Sequence, residues 1–140
     1  MHIPIKVDYS VRALVDLAKH EGEGTVRAAD IAQRQHIPEA FLDRLMGSLS
    51  KVGLVRSYRG PRGGHTLAQD ASEINLGMVM ESVGAMETMV GCLEDPGICL
   101  HVAGCSQREI WREVDDAVQR ILESTSIADL VNRMGPVEAT

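Results

Sequence analysis

Aromatic side chains are nearly missing from this sequence, at 3% of its 140 residues, although hydrophobic residues reach 44%. The core must therefore be aliphatic, with seven methionines available to fill gaps. No apolar run approaches the length of about 18 residues that a membrane-spanning helix requires. The first residues also lack the long apolar centre of a signal peptide. We therefore expect a cytoplasmic protein of single-domain size with no membrane partner.

Signatures of catalysis are missing as well. The sequence has no nucleophile motif, no paired acids in a cleft pattern and no cofactor fingerprint. Its glycine-rich segment, residues 59–64, lacks the Gly-Lys-Ser/Thr ending of a phosphate-binding loop. We therefore expect neither an enzyme nor a small-molecule substrate.

Cysteines are few, and all three lie in one short segment, at Cys92, Cys99 and Cys105. Six residues separate the first pair and five the second, on backbone rich in glycine and proline that turns freely. Thiolates gathered in this way can converge on one soft metal ion or cluster. The spacing matches neither zinc-ribbon pairs nor ferredoxin runs, so it indicates a metal or redox site without naming the metal.

Three other interpretations of the cysteines remain open. In the first, the cysteines have no shared function: they are two buried thiols and a bystander, or one labile disulfide and a spare thiol, because an odd number cannot be fully paired within a chain. They could form a metal-free redox switch. His101 lies inside the same segment and could complete a zinc site with three cysteines and one histidine.

Charge is unevenly distributed along the chain. The net charge of −6 and the isoelectric point near 5.3 argue at first against a nucleic-acid partner. Residues 1–65, however, carry ten Lys and Arg against seven Asp and Glu, whereas residues 66–140 carry four against thirteen. This asymmetry predicts that the mildly basic N-terminal half and the acidic C-terminal half have different functions.

The first half has the pattern of a winged helix. Apolar residues at helical spacing predict helices over residues 9–21, 28–35 and 38–52, the last two in helix-turn-helix arrangement. Residues 54–58 and 65–67 predict a β-hairpin whose glycine-rich tip carries Arg59 and Arg62. An arginine-tipped hairpin suits a narrow, negative minor groove, although three helices that merely pack together would show the same helical pattern.

The second half is predicted to be helical. A short helix spans residues 75–84, and Ser106 with Glu109 has the spacing of a capping box that starts a long helix. That helix has an apolar stripe of four turns or more, and a short helix follows near residues 126–131. The long stripe can pair with the same helix of a second copy. The predicted fold is mainly α, a winged helix-turn-helix with a small β-hairpin wing and a long C-terminal dimerisation helix. We divide it into residues 1–72, 73–134 and a flexible tail, 135–140.

This order of elements resembles the bacterial winged-helix iron–sulfur regulators typified by IscR, NsrR and RirA. The matching segments are Asp8-Tyr9-Ser10-Val11-Arg12-Ala13-Leu14, Asp30-Ile31-Ala32, Phe41-Leu42-Asp43-Arg44-Leu45-Met46, Gly53-Leu54-Val55 and Arg59-Gly60-Pro61-Arg62-Gly63-Gly64. The resemblance covers about residues 1–130. It implies a dimeric transcription factor, expected to be a repressor, that binds a double-stranded DNA operator. The three cysteines would hold an iron–sulfur cluster whose state sets DNA affinity in response to iron or cluster supply, nitric oxide or redox state.

The fourth cluster ligand distinguishes the branches of this family. IscR-type proteins place a histidine three residues after the third cysteine, where this chain has Arg108. NsrR-type proteins resemble this chain in an aspartate just before the first helix, here Asp8, which would complete the site of the partner subunit. We therefore favour a 4Fe–4S over a 2Fe–2S cluster. His101 is a competing ligand, and Asp8 could instead be a helix cap or an ion-pair partner of Arg12.

The DNA-reading residues are predicted on the third helix and the wing. Glu39, Asp43 and Arg44 lie opposite the apolar face of that helix. In the family, an acid at the position of Asp43 resembles a cytosine reader, because cytosine N4 is a donor. Arg59 and Arg62 would enter the minor groove. Each of these residues could also belong to a solvated charged face.

Overall fold

A computed structural model describes residues 2–85, 97 and 104–133 of the chain. Cys92, Cys99, His101 and the predicted tail lie outside these residues. Within the described part the elements, in order, are α1 (Ile5–Lys19), α2 (Ala28–Gln35), α3 (Glu39–Lys51), β1 (Val55–Tyr58), β2 (Gly64–Leu67), a 3₁₀ turn (Ala71–Glu73), α4 (Leu76–Ser82), α5 (Arg108–Ser124) and α6 (Ile127–Arg133). No helix in these ranges is both long enough and apolar enough to cross a membrane.

Helix α1 begins four residues earlier than its apolar stripe predicts. Pro4 stands at the N-cap, and its carbonyl accepts hydrogen bonds from the amides of Val7 at 3.0 Å and Asp8 at 3.4 Å. Val7 is buried and extends the stripe one turn back from Val11. Asp8 consequently lies in the first turn of the helix, and the interpretation of Asp8 as an N-cap is wrong.

A tight turn at His36 sets the angle between α2 and α3. His36 adopts the left-handed conformation, with φ of 55°, which few residues other than glycine favour. The next amide, from Ile37, donates to the carbonyl of Ala32 at 3.0 Å, and the Ile37 side chain is buried. Pro38 then precedes α3, so the predicted helix-turn-helix is present with nearly the predicted bounds.

The wing is an antiparallel hairpin. Strands β1 and β2 pair in a register that runs from Val55 with Leu67 to Tyr58 with Gly64. At the tip, the amide of Gly63 donates to the carbonyl of Gly60 at 2.8 Å. The remaining edge of β2 pairs with Val26, in the segment before α2, through backbone hydrogen bonds in both directions with His65.

The core is aliphatic, as the composition predicts, and it includes the end of the described chain. Helices α1 to α3 supply most of it, around the fully buried Leu14, Ile31 and Leu42. Ile127, at the start of α6, is also fully buried in this core, and its amide donates to the carbonyl of Ile74 at 2.8 Å. Helix α6 therefore packs back against α1 and the 3₁₀ turn.

Helix α5 starts without the predicted capping box. Its first residue is Arg108, and Gln107 at the N-cap makes no capping bond with its side chain. The hydroxyl of Ser106 donates instead to the side-chain oxygen of Gln107, at 3.1 Å. Because that neighbouring amide oxygen takes the hydroxyl, the capping prediction for Ser106 is wrong, whereas the predicted helix itself is present.

Candidate nucleic-acid interface and metal site

Helix α3 presents a charged face to solvent. Glu39, Asp43 and Arg44 are exposed. The opposite side of the helix is buried, through Leu42, Leu45, Met46 and Leu49. The spacing of three and four residues places the two sets on different faces. The structure thus gives the three predicted reading residues the exposure that contact with a groove requires.

Two aromatic side chains support this face, and the sequence reasoning missed both roles. Phe41, the only phenylalanine of the chain, meets Tyr9 of α1 edge to face, with ring centroids 5.7 Å apart. The guanidinium of Arg44 lies over the Phe41 ring, 5.4 Å from the ring centroid. A cation over an aromatic face is attracted by the ring quadrupole. Phe41 therefore connects the position of Arg44 to helix α1.

The wing presents its two arginines at an anchored tip. Arg59 and Arg62 are both exposed. Two side chains from the segment before α2 bind the tip backbone. Thr25 Oγ1 donates to the carbonyl of Arg62 at 2.8 Å, and Arg27 Nη2 donates to that of Pro61 at 3.0 Å. No sequence pattern indicated these two contacts, because they join residues more than thirty positions apart.

His65 lies on strand β2 of the wing. Its Nδ1 is 2.8 Å from the hydroxyl of Ser57, directly across the hairpin. Partial burial lowers the pKa of His65, and the carboxylate of Asp43 opposes that shift. The charge of the predicted cytosine reader therefore acts on a residue of the wing strand β2.

An ion pair between a buried carboxylate and a partly exposed arginine ties α1 to α2. The carboxylate of Asp16, which is 2% exposed, accepts from Arg34 Nε at 2.9 Å and Nη2 at 2.6 Å. Gln35 adds a third hydrogen bond at 3.1 Å. Burial raises the pKa of Asp16, but these hydrogen bonds and the charge of Arg34 outweigh it, so the pKa lies below its ordinary value. This pair sets the orientation of the first helix of the helix-turn-helix.

Of the predicted metal ligands, the described residues include only Cys105 and Asp8. Cys105 is half-buried shortly before α5. Asp8 pairs with Arg12 at 3.0 Å, with about half of each side chain exposed, as the ion-pair interpretation predicts. Cys92, Cys99 and His101 lie outside the described ranges. Within residues 2–85, 97 and 104–133, no three potential ligands converge.

Comparisons with known proteins agree with this architecture. A family model described as "Rrf2: Iron-dependent Transcriptional regulator" matches residues 3–133. The HTH-type transcriptional regulator IscR of Serratia proteamaculans (strain 568) is 38% identical over 132 residues, which cover 94% of this chain and 80% of that protein. The regulator of the same name from Yersinia enterocolitica is 36% identical over 138 residues, covering 99% of this chain and 84% of its own length.

Two solved structures resemble the chain along nearly its whole length. CymR (YrzC), the global cysteine regulator of B. subtilis, matches with a TM-score of 0.81 and 31% identity, over 96% of this chain and 99% of CymR. IscR of T. potens matches with a TM-score of 0.76 and 29% identity, over 96% of this chain and 93% of that one. These relatives are transcriptional regulators rather than enzymes, as the sequence predicts. The chain is therefore a member of the Rrf2 family of transcriptional regulators and has that family's winged-helix DNA-binding fold.

Proposed function

We propose that this protein is a dimeric, cytoplasmic transcriptional repressor whose affinity for a two-fold operator is set by an iron–sulfur cluster. The observation that carries the proposal is the charged, exposed face of α3 beside an arginine-tipped wing, in a chain of the Rrf2 family. In this proposal residues 1–72 bind DNA, and residues 73–134 hold the cluster and the dimer interface.

DNA reading is assigned to α3 and the wing. Asp43 accepts a hydrogen bond from cytosine N4 in the major groove. Glu39 and Arg44, on the same face, contact neighbouring base edges or phosphates. Arg59 and Arg62 enter the adjacent minor groove. Because the whole chain is acidic, its binding to DNA of arbitrary sequence is weak, and base contacts carry more of the specificity.

Dimerisation is assigned to α5, which contacts α4 but leaves four large apolar side chains exposed. Ile110, Trp111, Val114 and Ile121 are all exposed, Ile121 to 64%. The one buried residue of this helix is the polar Asp115. A helix that turns its large apolar side chains to solvent needs a partner surface. A second copy of the same helix supplies one with two-fold symmetry, which a two-fold operator also requires.

The cluster is assigned to the three cysteines with Asp8 as fourth ligand. Thiolate donors fit iron–sulfur chemistry, and Cys105 lies at the foot of the proposed dimer helix. The Asp8 side chain is 47% exposed, so a neighbouring subunit can reach it. A bound cluster would supply sensitivity to iron supply, nitric oxide or oxidation. Arg108, in place of a histidine, favours a 4Fe–4S over a 2Fe–2S cluster.

A metal-free thiol switch on the same fold is the second candidate. The observation that favours it is the similarity to CymR of B. subtilis, described as a global cysteine regulator rather than an iron regulator. In this alternative two of the cysteines form a disulfide when a cellular oxidant accepts their two electrons and two protons. A zinc site that includes His101 makes a further distinguishable case.

Anaerobic purification separates these candidates. We expect a straw-brown protein with visible absorbance and bound iron and sulfide. Each of Cys92→Ala, Cys99→Ala and Cys105→Ala should remove the chromophore but keep a helical dimer. A colourless protein with stoichiometric zinc supports the zinc site, and one without metal supports the thiol switch. A cysteine variant with full cluster occupancy shows that the changed cysteine is not a ligand.

A second experiment tests DNA reading. The operator is selected from a random-sequence duplex pool with the anaerobic protein, and affinity is then measured by fluorescence anisotropy. We expect Asp43→Ala to relax base preference, and Arg59→Ala to weaken binding most where the minor groove is A/T-rich. Arg133→Ala, an exposed charge on α6, serves as the control. Equal losses on selected and random duplexes for both variants contradict the assigned roles.

A further inference from the structure

The wing tip is held by a segment that lies far from it in sequence. Thr25 and Arg27 flank Val26, and the backbone of Val26 pairs with that of His65 at 2.9 and 2.7 Å. From this segment, Thr25 Oγ1 reaches the carbonyl of Arg62 at 2.8 Å and Arg27 Nη2 that of Pro61 at 3.0 Å. Two consecutive carbonyls of the tip are thus bound by side chains from outside the hairpin.

The close approach of the two segments depends on a glycine. Gly64 has φ of +153°, and a Cβ at this position would lie 2.7 Å from the carbonyl oxygen of Val26 and 3.1 Å from the Thr25 side chain. Any larger residue would push β2 away from the segment. The close packing of the wing against residues 25–27 therefore requires a glycine at position 64.

A hairpin of this size gains little stability by itself. The two strands have four residues each, and the residues between them, 59–63, are mostly exposed. Isolated two-stranded hairpins are marginal in water. Ordering an exposed tip at the moment of binding costs conformational entropy, which subtracts from affinity. A tip that is already ordered in the free protein avoids that loss.

We propose that Thr25 and Arg27 are positioning residues for DNA binding, which hold the wing tip so that Arg59 and Arg62 are preset for the groove. The inference rests on the proposed role of the wing arginines. It adds two residues outside both the recognition helix and the hairpin. Neither side chain needs to touch DNA, because each acts through the tip carbonyl that it binds.

Thr25 provides the cleaner test, because its loss changes no charge. Thr25→Val removes the hydroxyl at nearly constant volume and should weaken binding to the selected operator about three- to tenfold, the range of one net hydrogen bond. Thr25→Ser, which keeps the hydroxyl, should bind the selected operator with the affinity of the parent protein. Thr125→Val is the matched control. It removes a hydroxyl that also binds a backbone carbonyl, that of Ile121 at 2.8 Å, at the junction of α5 and α6.

The decisive readout is coupling to the wing arginines. In an Arg59→Ala/Arg62→Ala background the tip has no side chains left to position, so Thr25→Val should cost less than about twofold. Amide exchange at Gly63, whose N–H donates to the carbonyl of Gly60, should also accelerate in Thr25→Val without DNA. An unchanged affinity in the parent background overturns the inference, and so does an equal loss in both backgrounds.

Arg27 needs a further measurement because it carries charge. Arg27→Met should behave like Thr25→Val, with a loss that disappears in the arginine-free background and an unchanged salt dependence. If the loss persists there and the slope of log affinity against log salt falls by about one, Arg27 binds phosphate itself, and its positioning role is overturned.

The role of the wing arginines and the positioning role of Thr25 and Arg27 can be disproved separately. If Arg59→Ala/Arg62→Ala binds the selected operator as tightly as the parent, the assigned role of the wing is wrong. If that double variant loses affinity and Thr25→Val does not, the wing role stands and only the positioning inference fails.

Discussion

The carboxylate of Asp43 on α3 opposes the effect of burial on His65 of β2. Burial lowers the pKa of the imidazole, and the negative charge of Asp43 raises it by less. The hydroxyl of Ser57 lies 2.8 Å from Nδ1 of this imidazole, within hydrogen-bond distance. The charge of the proposed cytosine reader therefore favours the protonated form of a wing histidine, and burial outweighs that effect.

Stability should fall on acidification through His65. Since the folded state lowers its pKa below the ordinary value of 6.5, the neutral ring is favoured by folding. The associated stability is fully present above pH 6.5 and is lost as pH falls through the lower folded-state value. In urea unfolding at pH 7.5 and 5.5, His65→Gln should lose less stability on acidification than the parent. All other histidines are common to both proteins, so identical losses would show that His65 makes no contribution.

The ion pair of Asp16 with Arg34 should respond unequally to removal of its two partners. Asp16 is 2% exposed, whereas the side chain of Arg34 is 40% exposed. Arg34→Met leaves a buried carboxylate with Gln35 as its main donor and should cost about 3–5 kcal/mol of unfolding free energy. Asp16→Asn lets Arg34 turn to solvent and keeps an acceptor, so about 1–2 kcal/mol is expected. Chemical denaturation of both variants measures the order, and a larger loss for Asp16→Asn contradicts it.

The same pair makes stability depend on acid. The pKa of Asp16 lies below its ordinary value of 3.8, so the stability that this carboxylate contributes is present above pH 3.8 and is lost as pH falls through the folded-state value. Asp16→Asn should accordingly lose less stability than the parent on acidification in this range. This comparison uses the same denaturation curves at lower pH.

Periodicity predicted the helices well, because a regular apolar stripe is a local property. Helix α2 has the predicted bounds. The start of α1 was missed because the stripe alone does not indicate how far Pro4 extends the helix. A true capping box was overlooked at α6, where Ser126 and Asp129 exchange hydrogen bonds of 2.9 and 3.0 Å, while one was wrongly expected at Ser106.

Long-range contacts could not be predicted from the same information. The side chains of Thr25 and Arg27 meet the wing tip only because Val26 pairs with β2, and no residue between them signals that pairing. The inward-facing Asp115 of α5 is equally unexpected, since a pattern predicts which residues are apolar but not which side meets its own chain. The exposed charged face of α3, in contrast, followed directly from the spacing of its leucines.

Charge on the exposed face of α5 should separate the proposed dimer. Val114→Glu and Ile121→Glu place carboxylates where two apolar helices would meet. Burying one such aliphatic side chain stabilises by about 1.5–3 kcal/mol, and two-fold symmetry doubles each loss. Both variants should sediment as folded monomers at micromolar concentration, with helical content unchanged because both residues are exposed in the single chain. Glu123→Gln, an exposed change on the same helix, should remain dimeric. If the Ile121→Glu variant remains dimeric, the dimer interface does not include this face of α5.

Asp8 should decide whether the operator affinity responds to the cluster. In the proposed assembly this carboxylate reaches across the dimer and ties the cysteine segment to the root of the DNA-binding half. That tie sets the separation of the two recognition helices, which a two-fold operator requires. Asp8→Ala should keep some cluster on three thiolates but lose most of the difference in operator affinity between cluster-bound and cluster-free protein. A tenfold difference corresponds to about 1.4 kcal/mol, within the usual range of allosteric coupling.

Arg12→Ala is the matched control for Asp8, because it breaks the same exposed ion pair and leaves the carboxylate in place. Exposed pairs contribute at most about 1 kcal/mol, so neither substitution should unfold the protein. Arg12→Ala should respond to cluster loss as the parent does, measured by anisotropy on the selected operator with and without cluster. If both variants respond fully, Asp8 is only the partner of Arg12, and His101 becomes the first residue to test as fourth ligand. If both lose the response, the ion pair itself, rather than a ligand bond, transmits the signal.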